Sequence, residues 1–116
     1  MELAALLSSG KGTWGQVAGL VNRGDWDKIV LIGSEFAEKF SLEKEHEFIR
    51  VNTSQGILEL KEEILQKLKS KFQGTEVALS IASGDGKEHM ALISALLSIP
   101  VGVRFTALTK EGVGFF

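Results

Sequence analysis

Two short stretches concentrate the residue types that hold anions: Ser8-Ser9-Gly10-Lys11-Gly12-Thr13 and Ser83-Gly84-Asp85-Gly86-Lys87. Glycines let backbone N–H groups approach an anion with no Cβ in the way. Each stretch leads into a helical pattern, whose first N–H groups and dipole favour negative charge. Lys11 and Lys87 add positive charge, and Ser8, Ser9 and Ser83 add hydroxyl donors. Together they suit a phosphate or several phosphates. The plainer reading is that the glycines turn the chain tightly and the lysines are solvated.

Neither stretch is a P-loop, which needs G-x-x-x-x-G-K-[ST]. Gly86-Lys87 is followed by Glu88, with Ile81 at the earlier glycine position, and Gly10-Lys11 is followed by Gly12. Gly10-Lys11-Gly12-Thr13-Trp14-Gly15 is a literal G-x-G-x-x-G, and Glu35 lies about twenty residues further on, where a ribose-binding acid belongs. This dinucleotide alternative has a bulky Trp14 inside the fingerprint and leaves no chain for a substrate domain. Asp85 and Glu88 have the spacing of a capping box, Asp85 at the N-cap and Glu88 at N3. His89, in the same first turn, has the chemistry of an acid or base near neutral pH but reads as a surface histidine. His46 falls in the charged run SLEKEHE, a solvated loop. The two histidines lack metal-ligand spacing, so no metal site is expected, and no catalytic residue is assigned. Trp14 and Trp26 have rings that can stack on a base, but Trp14 occupies a helical apolar position and is assigned to the core. Met90, Leu92, Ile93, Leu96 and Leu97 are assigned to core packing.

The elements that must position these residues alternate. Residues 3–7, LAALL, read as a buried strand. Trp14, Val17, Ala18 and Val21 recur at helical spacing, with Thr13 as a candidate cap and Gly24 as a stop. KIVLI at 28–32 is a second strand, and 35–40 a short helix. FIRV at 48–51 is a third strand. Ile57, Leu60, Ile64, Leu65, Leu68 and Phe72 form one face of an amphipathic helix whose other face carries a Glu63–Lys67 pair. VALSIA at 77–82 is a fourth strand, 87–98 a helix ended by Pro100, and 101–107 a fifth strand. Lys110-Glu111-Gly112 is a hairpin turn, with 113–116 returning as an antiparallel edge strand.

This alternation predicts an α/β, Rossmann-like three-layer sandwich: a mainly parallel sheet of order 3-2-1-4-5-6 with an antiparallel edge strand at the C-terminus. The chain reverses direction between strands 1 and 4. Ligands of such sheets bind there, beyond the carboxyl ends of the strands, and the two Gly-rich stretches are the loops at that switch point.

With 116 residues, 44% hydrophobic and 24% charged, the chain reads as one domain, 1–116. Disorder and collagen-like repeats are excluded on composition. No apolar run approaches the ~20 residues of a membrane span, and MELAALLSSGKG does not read as a signal peptide. There is no cysteine, which excludes disulfides, zinc–cysteine sites and thiol nucleophiles and makes the cytoplasm the expected compartment. A net charge of −2 argues against duplex nucleic acid as a partner. Twelve of the fifteen acids are Glu and ten of the thirteen bases Lys, a weak lean towards a thermophile.

Ser80–Pro100, SIASGDGKEHMALISALLSIP, resembles the corresponding segment of the CRISPR-associated Rossmann fold (CARF) family. The shared features are a fourth strand ending in a Gly-rich turn, a basic residue (Lys87) and a Met-containing apolar helix (Met90). The loop with Ser8, Ser9 and Gly10 is similar to the family's other ligand-binding loop, and the strand order to its fold over nearly the whole chain. The resemblance implies binding of a cyclic oligoadenylate across a two-fold dimer, and in some members its cleavage. Carried over by position, Ser8 or Ser9 and Lys87 would contact phosphates and sugars. The chain departs from the family in lacking a C-terminal effector domain and in its shorter loops, so a stand-alone binder or metal-independent ring nuclease is the expectation. No separate cofactor is implied, because an RNA's own 2′-hydroxyl can attack the adjacent phosphate. A homodimer is expected because a symmetric ring suits two equivalent loops, and Val113, Phe115 and Phe116 are available to cover a partner or their own core. The other open readings are an NAD-type or mononucleotide domain using Gly10, Gly12, Gly15 and Glu35, and a structural module with an empty cleft.

Overall fold

The computed structural model describes residues 1–10 and 12–116. The apolar runs form strands β1 (Glu2–Leu7), β2 (Lys28–Gly33), β3 (Glu47–Arg50) and β4 (Glu76–Ser80), followed by β5 (Gly102–Thr109) and β6 (Gly112–Phe115). Helices α1 (Trp14–Arg23), α2 (Ile57–Leu68) and α3 (Gly86–Leu97) fill the crossovers, and Glu35–Lys39 is a single 3₁₀ segment. One six-stranded sheet runs β3-β2-β1-β4-β5-β6, the order expected from the alternation. Every pair is parallel except β5–β6.

Strand β1 is buried on both faces because helices cover both sides of the central sheet. Its alternation divides the core. Ala4 and Leu6 join Val30, Ile32, Val77 and Leu79 beneath α2 and α3. Leu3, Ala5 and Leu7 join Ile29 and Leu31 beneath Val17, Leu20 and Val21 of α1. Ala91 and Ala95, one turn apart and fully buried, keep α3 close to its neighbours. The strand boundaries shift by one or two residues from the sequence expectation, which is where apolar character and ladder pairing part. The two-residue shifts are at β4, which ends at Ser80 rather than Ala82, and at β5, which runs on to Thr109 rather than Ala107.

The far edge is less covered. Val113 packs against the α1-side core, so it serves its own chain. Phe115 packs edge-on against Trp26 on that same face. The strand alternation then puts Phe105 and Phe116 on the opposite face, where they are 38% and 73% exposed. Met90 and Leu97, expected in the core, project from α3 into solvent at 59% and 68% exposure. Both lie off the face of α3 that carries the buried Ala91, Leu92, Ala95 and Leu96. No helix among the described residues is long and apolar enough to cross a membrane.

Candidate functional site

The two Gly-rich loops meet at the β1/β4 switch point. The Ser8 N–H donates to Ser83 Oγ at 2.8 Å, joining the ends of two adjacent strands. The rest of Ser8 is also occupied. Its hydroxyl donates to the Gly10 carbonyl at 2.6 Å, and its own carbonyl accepts from the Trp14 indole at 3.2 Å. Trp14 is thus half-buried, as its spacing suggested, and also clamps the loop, edge-on to Phe40.

Ser83 is buried, and its carbonyl lies 2.9 Å from His89 Nε2. His89 is therefore not a free surface histidine; with the proton on Nε2 it donates to the loop it follows. Gly84 has φ +103°, and a Cβ there would run into the Leu6 side chain and sit 3.0 Å from Glu88 Oε1. Only glycine adopts that turn without strain.

Asp85 and Glu88 form the capping box that their spacing suggested. The Glu88 N–H donates to Asp85 Oδ1 at 2.8 Å, and the Asp85 N–H to Glu88 Oε1 at 3.0 Å. Asp85, a candidate ligand contact, thereby has its carboxylate committed to the helix end. The start of α3 already holds two carboxylates, which oppose a second anion there.

Lys87 differs most from its sequence-based role. Its ammonium donates to the Thr53 and Gln55 carbonyls, each at 2.8 Å, and so points to the β3–α2 loop. Nothing in the sequence pairs Lys87 with residues more than thirty positions away, so only the fold reveals the contact.

The start of α1 is different. Among the described residues Thr13, the candidate cap, makes no side-chain capping bond, and no acid lies in the first turn. Ser9, Gly10 and Gly12 are exposed beside it, as is Gly86 across the switch point. Lys11 lies outside the described residues. Beneath the loops, at the end of β4, the fully buried Ser80 Oγ has no hydrogen-bond partner among the described residues.

The dinucleotide fingerprint keeps its spacing but not its packing. Its third glycine serves close helix–strand contact, yet a Cβ on Gly15 would meet open space. Glu35 is exposed with its carboxylate 4.0 Å from Arg50 Nη1, so the supposed ribose acid faces a cation. No group of three or more His, Cys, Asp or Glu positioned for a metal occurs among the described residues.

Next to the switch point, the ends of β2 and β3 enclose a cleft of about 360 Å³ that the sequence did not signal. Ser9 Oγ reaches its rim, 3.4 Å from Ser34 Oγ. Within it, Lys67 Nζ donates to Glu63 at 2.8 Å and to the Arg50 carbonyl at 2.6 Å. Partial burial pushes the Glu63 carboxyl up, but hydrogen bonds from Lys67, the Asn52 N–H and Gln55 outweigh it and hold the group below its ordinary value. A hydrogen bond from Arg50 to Glu38, reinforced by their charges, raises the Arg50 pKa. No protein-family model matches the chain, and no curated protein matches its sequence.

Proposed function

We propose that the protein binds a nucleotide phosphate at the β1/β4 switch point, and that its ligand is a cyclic oligoadenylate or a close relative. The observation that carries this reading is the contrast between the two helix starts. The start of α3 is occupied by its own carboxylates, whereas the start of α1 has neither cap nor acid and lies beside exposed Ser9, Gly10 and Gly12. Phosphate oxygens fit that second position. The Ser8–Ser83 bond and Gly84 hold the two loops together, so the donors are arranged before the ligand arrives. The orphaned Ser80 hydroxyl supports a polar role for this end of the sheet, since burying such a group unpaired costs roughly 1–3 kcal/mol.

The cyclic ligand rests on the resemblance of Ser80–Pro100 to CARF domains. A ring with two-fold symmetry calls for two copies of the site, and we propose a homodimer. Exposed Met90, Leu97, Phe105 and Phe116 give it an apolar face to bury. Cleavage by the ligand's own 2′-hydroxyl would need only orientation from the protein.

Calorimetric titration with cyclic tetra-adenylate and with NAD tests the reading. Heat with the cyclic ligand alone supports it, heat with NAD alone favours a dinucleotide domain, and heat with neither leaves a structural module. Light scattering at tens of micromolar completes the test, because a species of 12.6 kDa would rule out a shared site.

A further inference from the structure

The cleft at the ends of β2 and β3 is polar but has little charge to offer a ligand. Arg50 is engaged with Glu38 and Glu35, and Lys67 with Glu63. A phosphate here would lie beside the carboxylates of Glu35, Glu38 and Glu63, which oppose it. A neutral ligand meets no such opposition.

The walls have complementary chemistry. Phe36, 37% exposed, supplies an apolar side, held by Trp14 at 5.8 Å and by the Lys39 ammonium 4.6 Å from its ring centre. Arg50 is also among the lining residues, and a guanidinium is a side chain on which bases can stack. Ser34, Thr53 and Ser54 bring hydroxyls.

Asn52 is the informative residue. Its Oδ1 accepts from the Ser54 N–H at 3.0 Å, which fixes the direction of the amide. A carbonyl oxygen has a second lone pair, and the side-chain NH₂ makes no hydrogen bond among the described residues. One acceptor and one donor therefore remain side by side. Adenine presents the matching pair, N6–H₂ and N7, which a single Asn or Gln amide satisfies.

We propose that this cleft is a binding site for the adenine base of a nucleotide, with Asn52 reading its N6/N7 edge. The inference rests on the nucleotide reading above for the direction from which the base arrives. From β1 to β3 is two strand spacings, roughly 10 Å, and the Ser9–Ser34 contact joins phosphate loop and cleft without a gap. The volume of about 360 Å³ lies at the small end of ligand pockets, ~300–1,000 Å³, and suits a base with its sugar. Guanine and hypoxanthine place an oxygen where adenine has its amino group, opposite Asn52 Oδ1, and are disfavoured.

The test is an amide NMR titration of the full chain with adenosine, then with inosine, repeated on Asn52→Asp. Aspartate keeps the acceptor for the Ser54 N–H, replaces the NH₂ donor with an oxygen and adds a negative charge. Asn52 is exposed, so the variant should melt close to the wild type, and adenosine is neutral, so the added charge does not itself repel it. Adenosine should shift Ser34, Phe36 and residues 52–54, inosine should bind more weakly, and Asn52→Asp should weaken adenosine binding about tenfold or more. Shifts confined elsewhere, no shifts, or equal adenosine binding by the variant overturns the proposal. Cyclic tetra-adenylate separates it from the function proposed above. If that ligand binds wild type and variant alike with residues 52–54 unmoved, the cleft falls alone. If it fails to bind while adenosine seats in the cleft, the cyclic-ligand reading falls and the cleft stands.

Discussion

Removing the Lys87 ammonium should destabilise the protein, an effect that a solvated lysine in the first turn of a helix would not have. The ammonium makes two hydrogen bonds of 2.8 Å to the Thr53 and Gln55 carbonyls and ties the β3–α2 loop to α3. Hydrogen bonds from a charged donor contribute roughly 1.5–3 kcal/mol. Three effects reduce that figure here. Lys87 is only half-buried, the freed carbonyls regain water, and a released lysine recovers up to ~2 kcal/mol of side-chain entropy. A net loss of about 1–2 kcal/mol remains for Lys87→Met, which keeps most of the aliphatic stem. For a chain of this size that is a fall of roughly 4–8 °C in Tm. Thermal melts followed by circular dichroism measure it, and amide exchange locates it. Protection should fall at Ser54–Ile57 and stay unchanged in β1 and β2. Lys69→Ala, exposed at the end of α2, is the control and should melt like the wild type. A Lys87→Met variant with wild-type Tm and wild-type exchange at 54–57 would refute the reasoning, and Lys87 would return to being a free cation available to a phosphate.

Gly84→Ala should lower stability by about 1–3 kcal/mol, since φ is +103° and the new methyl meets Leu6; urea unfolding measures this, and an unchanged midpoint would show that the loop has another conformation. Glu63 governs an acid-range effect. Its folded pKa is depressed, so its contribution is fully present above its ordinary value of 4.5 and is lost as pH falls through the folded value. Urea unfolding should therefore find wild type more stable than Glu63→Gln at neutral pH, with the difference closing below about pH 4.5; a difference that stays constant down to pH 3 would contradict the assignment.

What the sequence determined was whatever depends on periodicity and near neighbours. Runs such as KIVLI, apolar on both faces, can only be strands covered on both sides, and their alternation with amphipathic helices leaves few right-handed topologies. The strand order β3-β2-β1-β4-β5-β6 and the meeting of the two Gly-rich loops follow from that, and both are present. The Asp85–Glu88 capping box was legible for the same reason, being a contact across three residues.

The tertiary structure decided the side-chain partners. Lys87 and Thr53, His89 and the Ser83 carbonyl, and Trp14 and the Ser8 carbonyl meet because loops and helix starts converge at one end of the sheet. Met90 and Leu97 lie at apolar helical positions like those of Leu92 and Leu96, yet only the latter pair is buried. A helix's pattern tells how much of it is apolar. Whether a neighbour covers a given stripe depends on where the other elements pack. The cleft at Asn52 was invisible for a related reason. It is made from the ends of β2 and β3 and one turn of α2, residues 34 to 67, and no local spacing encodes the space between them.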